Sequence, residues 1–427
     1  MKKYFVSIEM DGEQVHVGDI SFTTADDAIF SYSEEYLQRD DARSISLSFP
    51  LRKEQFTAKQ TKNFFSGLLP EGFTRRSVAS WMHVDEDDYI SILFGLGQEC
   101  LGAIRIYDED DHPQDLYERL SMDQVKQLAN EGASKSSQIL VETHLSLAGA
   151  TGKVGLYYDN EKGDWYLPLG TAPSTHIVKQ SHVRLEGIVT NERLCLLTAA
   201  KLGIGVPESF IINTGNAQDK DILFATKRYD RIITEKSCII NGLRKPYRLH
   251  QEDFSQALGI SSSEKYEHDC AGYLRKMFEI LRKYSADPLQ DQAELWKVVI
   301  LNILLGNTDG HIKNSSLIYN ENLTAIRLAP AYDMVSTTIY ESAAKQMAMN
   351  IGGEYDIRRI TEENIISSAD EIGIGRKISE KYYQKMINNF ENVLRDSASE
   401  LKDEGFVNAR EICEKILMTG GFRYLTS

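Results

Sequence analysis

Three polar residues in the second half of the chain have types and a spacing that suit phosphoryl transfer. Asp309 precedes Asn314 by five residues, and Asp333 follows Asn314 after nineteen more. Kinase catalytic loops place an aspartate that accepts the substrate hydroxyl proton five residues before a magnesium-binding asparagine, and a second metal-binding aspartate follows a short hairpin. The first spacing alone is weak evidence, because about one or two copies occur by chance in a chain of ordinary composition.

The segments around these residues strengthen the pattern. An apolar run at 295–305 predicts a buried helix that leads into the loop, and residues 316–319 alternate like a strand that leaves it. Lys313 is close to Asp309 in the sequence, where its charge would offset negative charge that develops on the transferred group. We do not expect His311 to be the base, since a single histidine is more often a structural hydrogen-bonding residue. A capped helix end rich in turn-forming residues is the alternative.

A short glycine-containing segment suggests a flap over nucleotide phosphates. Gly149, Gly152 and Val154 match the kinase glycine-rich loop from its second glycine onward, and Leu147 stands where the first glycine belongs. Glycines at such positions allow backbone amides to approach phosphate oxygens closely, and Lys153 adds a positive charge. Val154 after Lys153 excludes a Walker A loop, which needs Ser or Thr there. A tight turn before a hairpin is the plainer interpretation.

Further positions fit the rest of a nucleotide cleft. Lys179 ends an aliphatic strand pattern that starts at His176, as does the lysine that contacts ATP phosphates in kinases. Glu192 comes thirteen residues later in a helical pattern, and it would orient that lysine through an ion pair. Lys227 and Tyr229 leave the last strand of the small lobe, where a hinge for adenine is expected. Because most such charged side chains are merely exposed, the ion pair is a hypothesis.

Composition restricts the class of protein. The 427 residues are 42% hydrophobic and 26% charged, no apolar run reaches about 18 residues, and the N-terminus lacks a secretory signal. The five cysteines are scattered without a CxxC pair, which is typical of reduced thiols and of neither a disulfide framework nor a zinc site. We therefore predict a cytoplasmic protein without a membrane contact. The formal charge of −15 argues against strong nucleic-acid binding by the chain alone.

The pattern along the chain divides it into three parts. Residues 1–112 show strand-like alternation, including a segment at 44–49, and predict a β-rich module. Residues 113–235 predict a kinase-like N-lobe with the phosphate loop, the ATP lysine and the hinge, and residues 236–427 a mostly α-helical C-lobe with the catalytic loop. Helices are expected near 185–202, 269–284, 290–305, 361–372, 378–401 and 407–418. The expected fold is α+β, a two-lobed protein-kinase-like arrangement.

Several short motifs, in the same order, resemble the HipA family of bacterial toxin kinases over about residues 1–420. They are LLPEG at 68–72, SLAGA at 146–150 followed by Lys153, PSTHIVK at 173–179, Asn191-Glu192, RYDR at 228–231, HQED at 250–253, KYE at 265–267, NTDGHIKN at 307–314 and LAPAYD at 328–333. Agreement of this many motifs by chance is very improbable. Two positions depart from the family pattern: Thr151-Gly152 replaces a Gln-Pro or Gln-Glu pair, and Lys227 stands where an acid is frequent.

The resemblance implies a serine/threonine protein kinase that uses ATP and Mg²⁺ and acts as the toxin of a type II toxin–antitoxin pair. Position by position, it makes Asp309 the catalytic base, Asn314 and Asp333 the magnesium ligands, and Lys179 the ATP lysine. Ser146 matches the serine that family members autophosphorylate, which stops the enzyme by ejecting the phosphate loop.

The resemblance also implies partners. These are a helix-turn-helix antitoxin of the HipB kind, operator DNA bound mainly through that antitoxin, and a host protein substrate. Family members phosphorylate aminoacyl-tRNA synthetases, but nothing in this sequence selects one target.

Two other functions compete with this interpretation. The first is a kinase of lipids or small molecules on the same scaffold. The acidic charge of the chain and the lack of a basic amphipathic helix argue against a lipid substrate. The second is a non-catalytic module that binds an antitoxin and DNA. In such a module the kinase motifs would be relics. The presence of four polar residues of the motifs argues against this loss of activity: Asp309, Lys313, Asn314 and Asp333.

Overall fold

The computed structural model describes residues 2–97, 99–109, 114–142, 147, 153–180 and 185–426. Within this part, antiparallel sheets occupy the first half of the chain and helices dominate the second half, which confirms the predicted α+β class. None of the helices described there is both long enough and apolar enough to cross a bilayer. The cytoplasmic location predicted from the sequence stays a prediction.

A four-stranded sheet with the order β3-β2-β1-β4 forms the centre of the N-terminal module. Its strands are β1 (Lys2–Met10), β2 (Glu13–Phe22), β3 (Ile29–Tyr32) and β4 (Ile104–Tyr107). Its helices are α1 (Glu34–Leu37), α2 (Ala58–Phe65), α3 (Gly72–Met82) and α4 (Tyr89–Leu96).

The strand predicted at 44–49 is wrong. The segment forms a turn closed by one isolated bridge between Ser46 and Phe49. The Tyr32 hydroxyl accepts from the Ile45 amide at 3.0 Å and donates to the Phe49 carbonyl at 2.6 Å. A side chain thus satisfies backbone groups that a neighbouring strand would otherwise bind, so alternation here reflects burial without pairing.

A six-stranded antiparallel sheet with the order β5-β7-β6-β8-β10-β9 follows. Its strands are β5 (Leu116–Arg119), β6 (Lys153–Asp159), β7 (Asp164–Leu169), β8 (His176–Gln180), β9 (Ser209–Asn213) and β10 (Ile222–Lys227). The helices beside it are α5 (Met122–Glu142) and α6 (Ile188–Lys201). The helix predicted near 185–202 is confirmed as α6, whereas α5 was not predicted.

The remainder contains short strand pairs and most of the helices. The strands are β11 (Arg231–Ile232), β12 (Ile239–Ile240), β13 (Leu243–Arg244), β14 (Tyr247–Arg248), β15 (Gln251–Asp253), β16 (Ser316–Tyr319), β17 (Ile326–Leu328), β18 (Gln346–Ile351) and β19 (Glu354–Asp356). The helices are α7 (Phe254–Leu258), α8 (Tyr273–Tyr284), α9 (Pro288–Leu305), α10 (Glu362–Glu371), α11 (Arg376–Asp403), α12 (Ala409–Thr419) and α13 (Gly421–Leu425). Every helix predicted in this region is present, with ends that differ by a few residues.

Helix α9 delivers the loop with the candidate base. It begins at Pro288 behind the N-cap Asp287, whose carboxylate accepts from a backbone amide of the first turn. It ends at Gly306, whose φ of +76° suits glycine, and a Cβ there would lie 2.1 Å from Thr338 Oγ1. The helix end is therefore fixed in place directly before Asp309.

A buried ion cluster joins the N-terminal module to the start of the hinge. It contains three guanidinium groups and three carboxylates: Arg228, Arg231, Arg248, Glu9, Glu99 and Asp230. Glu99 is its centre, with Arg228 at 3.1 Å, Arg231 at 2.9 Å and Arg248 at 2.9 Å. The guanidinium groups hold the pKa of the Glu99 carboxyl below its ordinary value even though burial alone raises it.

We expect Glu99→Ala to lower the free energy of unfolding by about 3–5 kcal/mol, because it leaves buried guanidinium charge without its partner. Urea titration followed by circular dichroism measures the change. Glu208→Ala is the matched control, since Glu208 is 78% exposed and pairs with Lys227 at the surface, and it should cost about 1 kcal/mol or less. Equal effects of the two substitutions would contradict the importance assigned to the cluster.

Candidate functional site

One cleft of about 710 Å³ collects most of the candidate residues. This volume is within the range of small-molecule sites. The sequence-predicted residues that line it are Lys153, Lys179, Lys227, Tyr229, Asp309, Lys313, Asn314 and Asp333. Three other candidates, Ser146, Gly149 and Gly152, lie outside the described residues. Helix α6, the strands β6 and β8, the hinge and the loop after α9 all contribute to the walls.

Lys179 is the centre of an ion triad in this cleft. Its Nζ lies 2.7 Å from Glu192 Oε1 and 2.5 Å from Asp333 Oδ1, so the hypothetical pair with Glu192 is present. Burial lowers the pKa of Lys179, but the two carboxylates outweigh it and keep this pKa above the ordinary value. Burial likewise raises the pKa of Asp333, and Lys179 and Lys153 outweigh that effect. Lys179 and Asp333 are therefore both charged at neutral pH.

The backbone holds Asp333 in an uncommon conformation. Its φ is +56°, in the left-handed region that aspartate adopts more readily than most residues but still at some cost. The preceding Tyr332 donates from its hydroxyl to the carbonyl of Lys313 at 2.8 Å. The catalytic-loop segment and the Asp333 segment are thus tied together, which places Asp333 beside Lys179.

The loop after α9 is braced by its own side chains. Asn314 Nδ2 donates to the Asp309 carbonyl at 2.9 Å, and the Asp309 amide donates to Asn307 Oδ1 at 3.2 Å. Because Nδ2 of Asn314 is used within the loop, its amide oxygen is the atom left for a cation. Burial raises the pKa of Asp309 above its ordinary value, although a hydrogen bond from Tyr266 opposes the shift.

Lys313 has partners that the sequence did not indicate. Its Nζ lies 2.9 Å from Asp253 Oδ2, 3.2 Å from the Gly67 carbonyl and 3.4 Å from Glu71 Oε1. Burial lowers its pKa, but Asp253 and Glu71 outweigh it and keep the pKa raised. Two of these partners belong to the N-terminal module. Lys313 therefore connects the loop after α9 to that module.

His311 is not suited to be a base. Burial, reinforced by the charge of Lys265, lowers its pKa to about 3, so the ring is neutral throughout the physiological range. The ring lies against Tyr266 in an edge-to-face contact, with centroids 5.3 Å apart. This agrees with the expectation from the sequence that His311 has a structural part in the loop.

The hinge side chains contribute little charge to the cleft. Lys227 Nζ pairs with the exposed Glu208 at 3.0 Å. Tyr229 donates from its hydroxyl to Gln251 Oε1, and its ring stacks on Tyr332 with centroids 6.0 Å apart. Their side chains thus have partners within the protein, which leaves the backbone as the part suited to contact an adenine.

Several cleft residues were missed as site residues. Glu71, Lys265 and Tyr266 all line the cavity. Glu71 Oε2 lies 2.7 Å from Lys265 Nζ, so the N-terminal module supplies a carboxylate to the cleft. Their only signal in the sequence was that they fall within family motifs, because no spacing relates positions so far apart to the catalytic loop.

Two family models together match most of the chain. One that describes the HipA-like C-terminal domain matches residues 145–394, and one that describes the HipA N-terminal domain matches residues 8–107. Y4mE of Sinorhizobium fredii is similar, with 29% identity over 404 residues that cover 92% of this chain and 93% of that protein. The serine/threonine-protein kinase toxin HipA of Shewanella oneidensis is 26% identical over 387 residues, which cover 87% of this chain and 85% of that protein.

A solved structure supports the same fold. The complex of the Shewanella oneidensis MR-1 toxin–antitoxin proteins HipA and HipB with operator DNA contains a chain that matches with a TM-score of 0.78 and 23% identity. The match covers 99% of this chain and 97% of that chain. The predicted two-lobed, kinase-like α+β fold is thereby confirmed.

Lys153 should behave as an unusually acidic lysine. Its pKa is lowered to about 8, mainly by burial. The charge of Asp333 raises this pKa, whereas the charge of Lys179, its cross-strand neighbour, lowers it further. The amine is charged below that pH and becomes neutral and nucleophilic above it. We expect pulse acetylation with mass spectrometry to label Lys153 with a midpoint near pH 8, and Lys179, whose pKa is raised, to stay unlabelled there. A midpoint near the ordinary value of about 10.4 would contradict this environment.

Proposed function

We propose, because the chain belongs to the HipA family, that it is an ATP-dependent serine/threonine protein kinase and the toxin of a type II toxin–antitoxin pair. One observation carries the enzymatic part of this proposal. A single cleft joins Asp309 and Asn314 of the loop after α9 to Asp333 and the Lys179–Glu192 ion pair. These are the groups that protein kinases use to position ATP, bind metal and accept the substrate proton.

The residues of the cleft fit magnesium-bound ATP. A chain with a formal charge of −15 can hold a polyphosphate only with locally placed cations, and Lys153 and Lys179 face each other across neighbouring strands of the cleft wall. Asp333 supplies an anionic oxygen and Asn314 an amide oxygen, which are ligand types that Mg²⁺ prefers. When bound, the metal neutralises charge on the phosphates during transfer.

Each residue then has a defined part. Asp309 accepts the proton of the substrate hydroxyl, and Lys313 contributes positive charge behind it. Asn314 and Asp333 would hold the metal. The other proposed nucleotide contacts are the phosphate-loop residues Gly149, Gly152 and Lys153, the strand lysine Lys179, and the hinge residues Lys227 and Tyr229. Phosphate on Ser146, the family's autophosphorylation position, would add about two negative charges near the ATP phosphates and so stop the enzyme.

Partners follow from the same proposal. The Shewanella oneidensis structure contains HipA, HipB and operator DNA, which supports a helix-turn-helix antitoxin of the HipB kind as the partner of this chain. The formal charge of −15 supports contact with operator DNA mainly through that antitoxin. The substrate is a host protein, with aminoacyl-tRNA synthetases as a candidate class. We assign residues 1–112 to the N-terminal module, 113–235 to the N-lobe and 236–427 to the C-lobe.

We expect Asp309→Asn to remove phosphoryl transfer while the fold stays intact. Loss of a general base commonly costs on the order of 10² to 10⁴ in rate. Incubation with γ-labelled ATP and host lysate measures transfer to proteins, and mass spectrometry measures phosphate on Ser146. Asp40→Asn, at an exposed position of the N-terminal module, is the matched control and should retain both activities. Wild-type transfer by folded Asp309→Asn protein would refute the assignment of the base.

We expect Asp333→Ala to weaken binding of magnesium-bound ATP by on the order of tenfold or more, because even outer-shell changes at metal sites cost that much. Titration calorimetry with and without Mg²⁺ measures the effect. The loss should be larger with Mg²⁺ present, since Asp333 is proposed to contact the metal. Asp370→Ala, at an exposed position of α10, is the control. An unchanged affinity for magnesium-bound ATP would refute the metal role.

A further inference from the structure

A hydroxyl of the protein itself occupies the position beside the candidate base. The Tyr266 hydroxyl donates to Asp309 Oδ1 at 2.5 Å, and the side chain borders the cleft. A general base must hold the hydroxyl that it deprotonates within about 2.6–3.2 Å. The phenol therefore occupies Oδ1 of Asp309, one of the two carboxylate oxygens to which an acceptor hydroxyl or a water molecule can bind.

The chain holds Tyr266 in this place from both sides. The preceding Lys265 pairs with Glu71 Oε2 at 2.7 Å. The following Glu267 accepts from the Gly272 amide at 2.6 Å and from the Asn350 amide at 2.7 Å. The ring itself packs against His311, as described above. The backbone at Tyr266 is thus anchored independently of the hydroxyl, which can leave Asp309 by side-chain rotation alone.

Asp309 does not depend on the phenol for its position. Its amide donates to Asn307 and its carbonyl accepts from Asn314, so the backbone of the loop is fixed without Tyr266. What the phenol adds is a contact to the carboxylate oxygen itself. Burial and the charge of Asp309 raise the pKa of Tyr266 above its ordinary value, which keeps the phenol protonated and therefore a donor.

We propose that Tyr266 occupies the acceptor position beside Asp309 when no protein substrate is bound, excludes water from it, and yields it only to a substrate hydroxyl. This inference rests on the proposed kinase function and concerns how the enzyme selects a protein acceptor over water. In the reaction that Tyr266 suppresses, the oxygen of water bonds to the γ-phosphorus and the bond from that phosphorus to the bridging oxygen breaks. ADP leaves, and Asp309 takes the proton of the water.

Tyr266→Phe tests the inference because it removes the hydroxyl and keeps the ring against His311. The measurement is release of inorganic phosphate from magnesium-bound ATP without a protein acceptor, in a Ser146→Ala background so that self-phosphorylation cannot stop the reaction. We expect release to rise on the order of tenfold with an unchanged KM for ATP, because a hydrogen bond to a charged group no longer has to be displaced.

Tyr273→Phe is the matched control. Tyr273 donates from its hydroxyl to the Glu264 carbonyl at 2.8 Å, so it supports the same turn without contacting Asp309, and its loss should leave phosphate release at the level of the parent protein. Release by Tyr266→Phe that equals or falls below the parent level overturns the inference, since a residue that only orients Asp309 would lower the rate.

Adding Asp309→Asn to Tyr266→Phe separates this inference from the proposed function. Loss of the gained phosphate release in the double variant supports the inference. Gained release that persists without the Asp309 carboxylate contradicts both the inference and the assignment of Asp309 as the base. Release that depends on Asp309 but does not rise in Tyr266→Phe overturns the inference alone and leaves the kinase assignment in place.

Discussion

The buried ion cluster around Glu99 is the constraint on which the arrangement of the cleft depends. Removing a charge from water costs several kcal/mol, so a cluster of this kind is tolerable only when every member is paired. Here three guanidinium groups meet three carboxylates, and the members come from the N-terminal module, the hinge and β14. The module can therefore dock in one register only, because any shift would leave a buried charge without its partner.

That register brings the segment between α2 and α3 to the loop after α9. Gly67 and Glu71 reach Lys313, and Glu71 also reaches Lys265. Lys265 precedes Tyr266, whose hydroxyl contacts Asp309. A continuous set of polar contacts thus leads from the N-terminal module to the atom proposed to accept the substrate proton. The module is a structural part of the site, although its sequence shows no catalytic pattern.

Local signals in the sequence were sufficient for much of the fold and for the main polar residues of the cleft. Helix α9 could be predicted because its apolar run at 295–305 is a local pattern, and the spacing of Asp309 and Asn314 identifies one loop. The Lys179–Glu192 pair was within reach for a similar reason, since a strand and the next helix suffice to define it. The partners of Lys313 could not be predicted in this way, because one of them, Gly67, lies 246 residues away in the sequence. The strand predicted at 44–49 was wrong for a similar reason, since the hydroxyl of Tyr32, which lies in β3, satisfies backbone groups of this segment.

The lysines of the cleft differ in how their charge is balanced. Lys179 and Lys313 each contact two carboxylates, and among the described residues Lys153 is the cleft lysine that lacks a close ionic partner. Its lowered pKa expresses the cost of that isolation. An anion bound beside Lys153 would relieve this cost without breaking an existing pair, whereas an anion bound at Lys179 or Lys313 must compete with carboxylates already present. We therefore expect Lys153 to contribute more to anion affinity than its sequence position, next to an ordinary hairpin, suggests.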